Sequence, residues 1–189
     1  MMGSLFVISG PSGVGKGTLC KLAQKMLENI WISISMTSRE IREEEIENIS
    51  YYYTSAEEFT KKIKSGEFLE YIEVYKGYYY GTLLKPVTDH LTSGYNVILE
   101  IDVDGADRVK EYTDDVIRIF ILPPSVEELE RRLVKRDQDT NKNYNERIER
   151  AKNYEIPKSI EFDYCIVNDD LDIAAKELCD IIKAHTNKE

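Results

Sequence analysis

The stretch Ser9-Gly10-Pro11-Ser12-Gly13-Val14-Gly15-Lys16-Gly17-Thr18 gathers glycines, a lysine and a hydroxyl at a spacing that can hold phosphate. Gly10, Gly13 and Gly15 let the backbone turn tightly and aim its N–H groups at an anion. Lys16 can reach terminal phosphates, and Thr18 offers a hydroxyl to Mg²⁺. The apolar run Leu5-Phe6-Val7-Ile8 before the loop reads as a buried strand, and Leu19, Leu22, Ala23, Met26 and Leu27 recur after it at helical spacing. A helix that starts near Lys16 adds the positive end of its dipole. Strand, glycine-rich turn and helix are the context a phosphate loop requires, and an ordinary turn leaves the lysine and its flanks unexplained. The ligand implied is a nucleoside triphosphate.

A second anion site needs its own cations. Arg39 and Arg42 are three apart, with Tyr51 and Tyr80 as hydroxyl donors, a set that fits a monophosphate. The same arginines could instead pair with Glu43, Glu44 and Glu45 in a solvated loop. Arg132, Arg136 and Arg147 flank the polar stretch 137–143 and could close over phosphates, or could be helix surface. Glu70 and Asp102 are acids on or beside apolar strands. A buried acid there can accept from guanine N1–H and its 2-amino group, which adenine does not match, or it can sit on an exposed edge face. His90 and His185 have no partners at ligand spacing and are assigned to the surface.

These groups need a frame. Strands are expected at 30–35, 51–53, 68–74, 78–82, 96–102, 116–122 and 164–167. Helices are expected at 55–65, 86–92, 106–112, 125–136, 144–154 and 172–185, the first and fourth opened by capping boxes at Ser55 and Ser125. The segment 36–45 is polar and charged and leaves the alternation. The fold class is α/β: a parallel sheet between helices, three layers in all, carrying a small mixed insertion. A net charge of -10 argues against a nucleic-acid or membrane-surface partner. No apolar run is long enough to span a bilayer, and the start lacks the basic region of a secretory signal. Cys20, Cys165 and Cys179 show no metal or redox spacing, which fits reduced thiols in the cytoplasm, with Cys20 and Cys179 near the core.

Taken together, the motifs resemble the guanylate kinase family. The Gly-Lys-Gly-Thr form of the loop is similar to that of nucleoside monophosphate kinases. Ser35 to Arg42 with Glu45 and Tyr51, Phe68-Leu69-Glu70, Tyr79-Tyr80-Gly81-Thr82, Leu99-Glu100-Ile101-Asp102, Ile121-Leu122-Pro123-Pro124-Ser125 and Val167-Asn168-Asp169-Asp170 occur in the family's order, over roughly residues 5–185. The resemblance implies transfer of the γ-phosphoryl group of ATP to GMP, and to dGMP, with Mg²⁺. It implies a core (1–35, 83–125 and 156–189), a GMP-binding insertion (36–82) and a lid (126–155). By position, residues 10–18 with Asn168 and Asp169 serve ATP, Thr18 the metal, and Lys16, Arg39, Arg132, Arg136 and Arg147 the transfer. Ser35, Arg39, Arg42, Tyr51 and Tyr80 serve the GMP phosphate; Glu70, Thr82 and Asp102 read guanine; Glu45 and Glu100 orient neighbours. Ile41, Glu44 and Asn48 depart from the family's proline and two glycines, Asp104 from its glutamine, and Asp137 from a glycine. Two other readings remain at this point: another nucleoside monophosphate kinase, and a scaffold domain of this fold that recognises phosphopeptides.

Overall fold

Leu5–Ser9 forms β1, whose five residues are all buried. In the computed structural model, which describes residues 2–74, 77–136 and 144–186, without the side chains of Val74 and Arg136, this strand lies at the centre of a sheet. In chain order the elements are α1 (Lys16–Met26), β2 (Ile30–Ile32), β3 (Met36–Thr37), β4 (Tyr52–Tyr53), α2 (Ala56–Lys64), β5 (Phe68–Val74), β6 (Tyr78–Leu83) and α3 (Leu84–Thr92). Then come β7 (Asn96–Glu100), α4 (Val103–Tyr112), β8 (Val116–Leu122), α5 (Val126–Arg136), α6 (Tyr144–Arg150), a π turn at Ala151–Glu155, a 3₁₀ turn at Pro157–Glu161, β9 (Tyr164–Val167) and α7 (Leu171–Thr186).

The first sheet has five strands in the order β2-β7-β1-β8-β9, and every pairing is parallel. Strand alternation divides its side chains between two cores. Phe6, Ile8, Ile98, Ile119, Ile121 and Ile166 pack with α1, α5, α6 and α7 on one face. Leu5, Val7, Val97, Leu99, Val116 and Phe120 pack with α3 and α4 on the other. Both faces are thus covered, as an all-parallel sheet demands. Cys20 and Cys179 lie in the first core, while Cys165 is exposed.

The second sheet is mixed, in the order β4-β3-β6-β5. β5 and β6 form an antiparallel hairpin, β3 pairs antiparallel with β6, and β4 joins β3 in parallel. Leu69 of β5 reaches into the second core beside Val87 and Val103. The insertion is therefore rooted in the main body by an apolar side chain.

Several sequence expectations shift. The strand expected at 30–35 ends at Ile32, and β3 arises at 36–37 where no strand is expected. α4 begins at Val103 instead of Ala106, because the Asp102 side chain caps it by accepting from Gly105 N–H at 2.8 Å. The helix expected over 144–154 changes at Ala151 into a π turn. The histidines are packed, not free on the surface. His90 stacks on Trp31 with ring centroids 3.8 Å apart, and His185 meets Phe6 edge-on and the Tyr164 hydroxyl at 2.9 Å. The polar stretch 137–143 lies outside the described residues.

Candidate active site

A cleft of about 680 Å³ opens over the carboxyl ends of β1 and β7, between the two sheets. In open parallel sheets this end is where ligands sit. Its floor is the loop 10–18. Gly15 is the N-cap residue of α1 and has a left-handed backbone, φ 102°, with no side-chain cap. The helix N-terminus is therefore left open to an anion. A Cβ on Gly15 would also lie 2.5 Å from the Asn168 amide nitrogen, so glycine is required here on two counts. Asn168, expected near adenine, is buried and donates to the Val14 carbonyl at 2.8 Å, which braces the loop from below. Asp169 is exposed beside it.

Lys16 folds back over the loop and donates to the carbonyls of Gly10 (2.6 Å) and Pro11 (3.1 Å). Burial lowers its pKa, and the carboxylates of Glu100, Glu155 and Asp102 oppose that fall. Gly17 faces Glu100 so closely that an added Cβ would lie 3.0 Å from the carboxylate. This approach gives a local reason for glycine where Ser or Thr is common, and leaves the hydroxyl to Thr18, which lines the cleft. Among the described residues no cluster of three or more His, Cys, Asp or Glu could cage a metal ion. With the Thr18 hydroxyl in the cleft, the donor set fits Mg²⁺ that arrives on a triphosphate.

Across the cleft stands the second cation site. Arg39 is almost fully buried and is held by a bidentate pair with Glu45, at 2.6 and 2.5 Å. Its Nε donates to the Tyr80 hydroxyl at 2.8 Å, and its guanidinium lies 5.0 Å from the Tyr51 ring centroid. Hydrogen bonding to Arg39 pulls the Glu45 pKa down to about 2, so the pair is fully charged at neutral pH. Tyr53, which sequence reasoning passed over, donates its hydroxyl to the same carboxylate at 2.8 Å. Glu45, among the three acids weighed as partners, is the one that pairs with Arg39. Arg42 uses its backbone N–H on Glu45, and its side chain has no partner among the described residues. Ser35 and Tyr51 line the cleft below.

The loop tolerates its three departures unevenly. Asn48 has φ 62°, so the left-handed turn is kept by the residue that best replaces glycine there. Glu44 is not among the positive-φ residues, and glycine's freedom is not needed at that position. Nothing in the structure explains Ile41.

Two carboxylates line the wall between the cation sites. Glu70 is 6% exposed and accepts from the Thr82 hydroxyl at 2.7 Å. Burial pushes its pKa up to about 7, helped by nearby Asp102, whose own pKa burial also raises. Glu70 is therefore no exposed edge residue. Asp102 spends one oxygen on the α4 cap and turns the other toward Arg150, 3.9 Å away.

The expected lid arginines divide. Arg132 is held by Glu128 at 2.7 Å and donates to the Asn168 carbonyl at 3.0 Å, and it lines the cleft. Arg147 donates to the Ser12 hydroxyl and so touches the phosphate loop directly. Arg136 ends α5, and its side chain lies outside the described residues. Lys21 and Glu155 also line the cleft, and neither stood out in the sequence.

A parallel sheet with a phosphate loop at its switch point, facing a second cation site, defines a P-loop kinase. A solved shikimate kinase from Bacteroides thetaiotaomicron shares the fold at TM-score 0.51 and 16% identity, covering 95% of this chain and 98% of that one. A family profile for guanylate kinase matches residues 2–185. The protein is 47% identical to a guanylate kinase from Clostridium acetobutylicum over 96% of this chain and 86% of that one. It is 45% identical to one from Carboxydothermus hydrogenoformans over 98% and 90%. The crystal structure of guanylate kinase from Anaplasma phagocytophilum superposes with TM-score 0.77 at 35% identity, covering 99% of this chain and 88% of that one. The chain belongs to the guanylate kinase family, and so to the nucleoside monophosphate kinases.

Proposed function

We propose that the protein moves the γ-phosphoryl group of ATP directly to a phosphate oxygen of GMP, and of dGMP, giving ADP and the diphosphate. The observation that carries this reading is the buried Glu70 beside Asp102, set between two cation sites. A carboxylate there rewards a base edge that donates twice, as guanine does, and is left unpaired by adenine. ATP belongs on the loop 10–18, where Lys16 and the open helix end meet its phosphates. Arg39, Arg42, Tyr51, Tyr80 and Ser35 take the GMP phosphate, with Glu45 holding Arg39 in place and Glu100 beside Lys16. Thr82 holds Glu70, and Arg132, Arg136 and Arg147 act from the lid side. Thr18 and the phosphates would hold Mg²⁺, which when bound would supply charge neutralisation.

No general base is needed, because the accepting phosphate oxygen is already anionic. Cys20, the thiol nearest Lys16, is buried, and burial pushes its pKa well up, which removes it as a nucleophile. The division into core (1–35, 83–125, 156–189), insertion (36–82) and lid (126–155) belongs to this reading, with the last two closing on the core. So does a cytoplasmic location, which the exposed free Cys165 favours. No helix among the described residues is long and apolar enough to cross a membrane.

The test is ADP release from ATP and Mg²⁺ with GMP, AMP, CMP or UMP at matched concentration. Turnover confined to GMP is expected; equal turnover with AMP refutes the base assignment. Arg42 offers a separate check. Arg42→Met is expected to raise KM for GMP about tenfold, the value of one charge-assisted contact. Its melting temperature should stay near wild type, since the side chain makes no contact that folding uses. An unchanged KM removes Arg42 from the site.

A further inference from the structure

Arg150 stands beside Asp102, among three acids. Its Nη2 pairs with Asp104 at 2.6 Å, its Nε donates to Glu155 at 3.3 Å, and Asp102 Oδ2 lies 3.9 Å from the same Nη2. The first two contacts are hydrogen bonds and the third is too long to be one. That difference matters because of what Asp102 has left. Its Oδ1 accepts from Gly105 N–H, so Oδ2 is the oxygen that remains to meet a base. Glu70 is placed alike: Oε1 accepts from the Thr82 hydroxyl, and Oε2 remains. A Cβ built on Gly105 would lie 3.2 Å from Glu70 Oε2 and 3.3 Å from Asp102 Oδ1. Both carboxylates therefore lean on the first turn of α4, and glycine there lets them stand together.

A guanidinium is a strong competitor for such an oxygen. It offers N–H groups in a planar fork that matches a carboxylate, as guanine's ring N–H and amino group do. The Arg150 side chain is 44% exposed and has room to swing. Asp104 restrains it. This acid sits in the first turn of α4, and the Tyr154 hydroxyl donates to its other oxygen. The Arg150 guanidinium lies over the Tyr154 ring, 5.0 Å from the centroid, so two groups outside the cleft lining hold the arginine. Lys158, which also faces that ring, is engaged by Asp107.

We infer that Asp104 is a positioning residue for base recognition: it draws Arg150 to itself and so leaves Asp102 Oδ2 to the base of the acceptor nucleotide. The acid at which this chain departs from the family's glutamine thereby gains a role. The inference rests on the reading of Asp102 as part of the guanine site.

The test compares wild type, Asp104→Asn and the double variant Asp104→Asn/Arg150→Met. Asparagine keeps an oxygen for the Tyr154 hydroxyl and drops the charge that holds Arg150. Calorimetry gives the Kd for GMP, with KM for ATP and the melting temperature read beside it. In Asp104→Asn the Kd for GMP is expected to rise about tenfold, the loss of one charge-assisted contact, with KM for ATP within about twofold of wild type. In the double variant the competing guanidinium is gone. Its Kd for GMP is expected to return to within about threefold of wild type, while its melting temperature stays at or below that of Asp104→Asn, because the ion pair is still missing. A bridge that served only the fold would give no recovery of GMP binding in the double variant. That result overturns the inference, as does an unchanged Kd for GMP in folded Asp104→Asn. If Asp104→Asn does not fold, Asp104→Gln is read in the same way. Should wild type bind AMP as tightly as GMP, the base reading fails before any variant is made, and the inference falls with it.

Discussion

Lys16→Met is expected to lower kcat by about 10³-fold, or roughly 4 kcal/mol of transition-state stabilisation, with little change in KM for GMP. The side chain starts at the open end of α1 and lines the cleft, where the proposed reaction needs a cation on the transferring group. Before any nucleotide binds, that charge rests on two backbone carbonyls in a dry loop. The arrangement costs stability. Burial lowers the Lys16 pKa, so the charged form is weakened by folding at every pH below its folded pKa. Methionine keeps the stem and removes the charge. The variant is expected to melt higher than wild type at neutral pH. Steady-state kinetics beside a thermal melt checks both halves. A kcat within tenfold of wild type would remove Lys16 from the transfer step; a lower melting temperature would mean that its two carbonyl bonds outweigh the burial.

Glu70→Gln is expected to lower kcat/KM for GMP by at least about 10², and to leave KM for ATP nearly unchanged. Gln keeps an oxygen for the Thr82 hydroxyl but presents an amide donor where guanine also donates. The pH dependence is the sharper test. With its pKa raised from 4.5 to about 7, free Glu70 is half protonated near neutrality. If the carboxylate is the form that reads guanine, kcat/KM for GMP falls about tenfold per unit below pH 7. The glutamine variant loses that limb and keeps the one near pH 6 that belongs to the substrate phosphate.

Stability moves the other way. A carboxyl whose pKa rises on folding stabilises the fold below its unfolded pKa, and that contribution is lost as pH climbs through about 7. The shift corresponds to an upper limit on the order of 3 kcal/mol. Glu70→Gln should therefore melt several degrees higher than wild type at pH 8 and no higher at pH 5. Equal losses for both nucleotides, or a fall in melting temperature at pH 8, would show that the residue supports the fold and does not read the base. Lys16 and Glu70 thus share a property: burial works against the charged form of each in the cleft they both line.

Sequence patterns located what is local. The segments 68–74 and 116–122 became β5 and β8 with those bounds, because each is rich in strand-forming residues and has a clear breaker at one end, Gly66 before β5 and Pro123-Pro124 after β8. The phosphate loop needed only its glycines, its lysine and its flanks. Features set by distant partners stayed hidden. β3 is two residues long, too short for any periodicity, and exists because β6 and β4 pair on either side of it. Asp102 read as the end of a strand; only the turn into α4 shows that its side chain caps a helix. Asn168 read as a nucleotide contact, and it is the Val14 carbonyl 154 positions away that claims its amide. Glu155 falls just past the helix expected over 144–154 and drew no reading, since no spacing rule announces a π turn. His90 and His185 looked unattached for the same reason: Trp31 and Tyr164, their partners, lie far off in sequence.

The order of the central sheet bears on how the chain acquires its shape during synthesis. Leu5 of β1 pairs with Val97 on one side and Val116 on the other. α1 packs on α7, the last helix described. At about 5–20 residues per second, the ribosome delivers β7 some 5–20 s after β1. Throughout that interval Phe6, Val7 and Ile8, all fully buried in the finished protein, have no strand to join. The β5–β6 hairpin has no such wait, because its two strands leave the ribosome almost together. The nascent chain is therefore expected to build its inserted sheet from the inside while its fully buried first strand still awaits partners, which makes that strand the natural target for a chaperone.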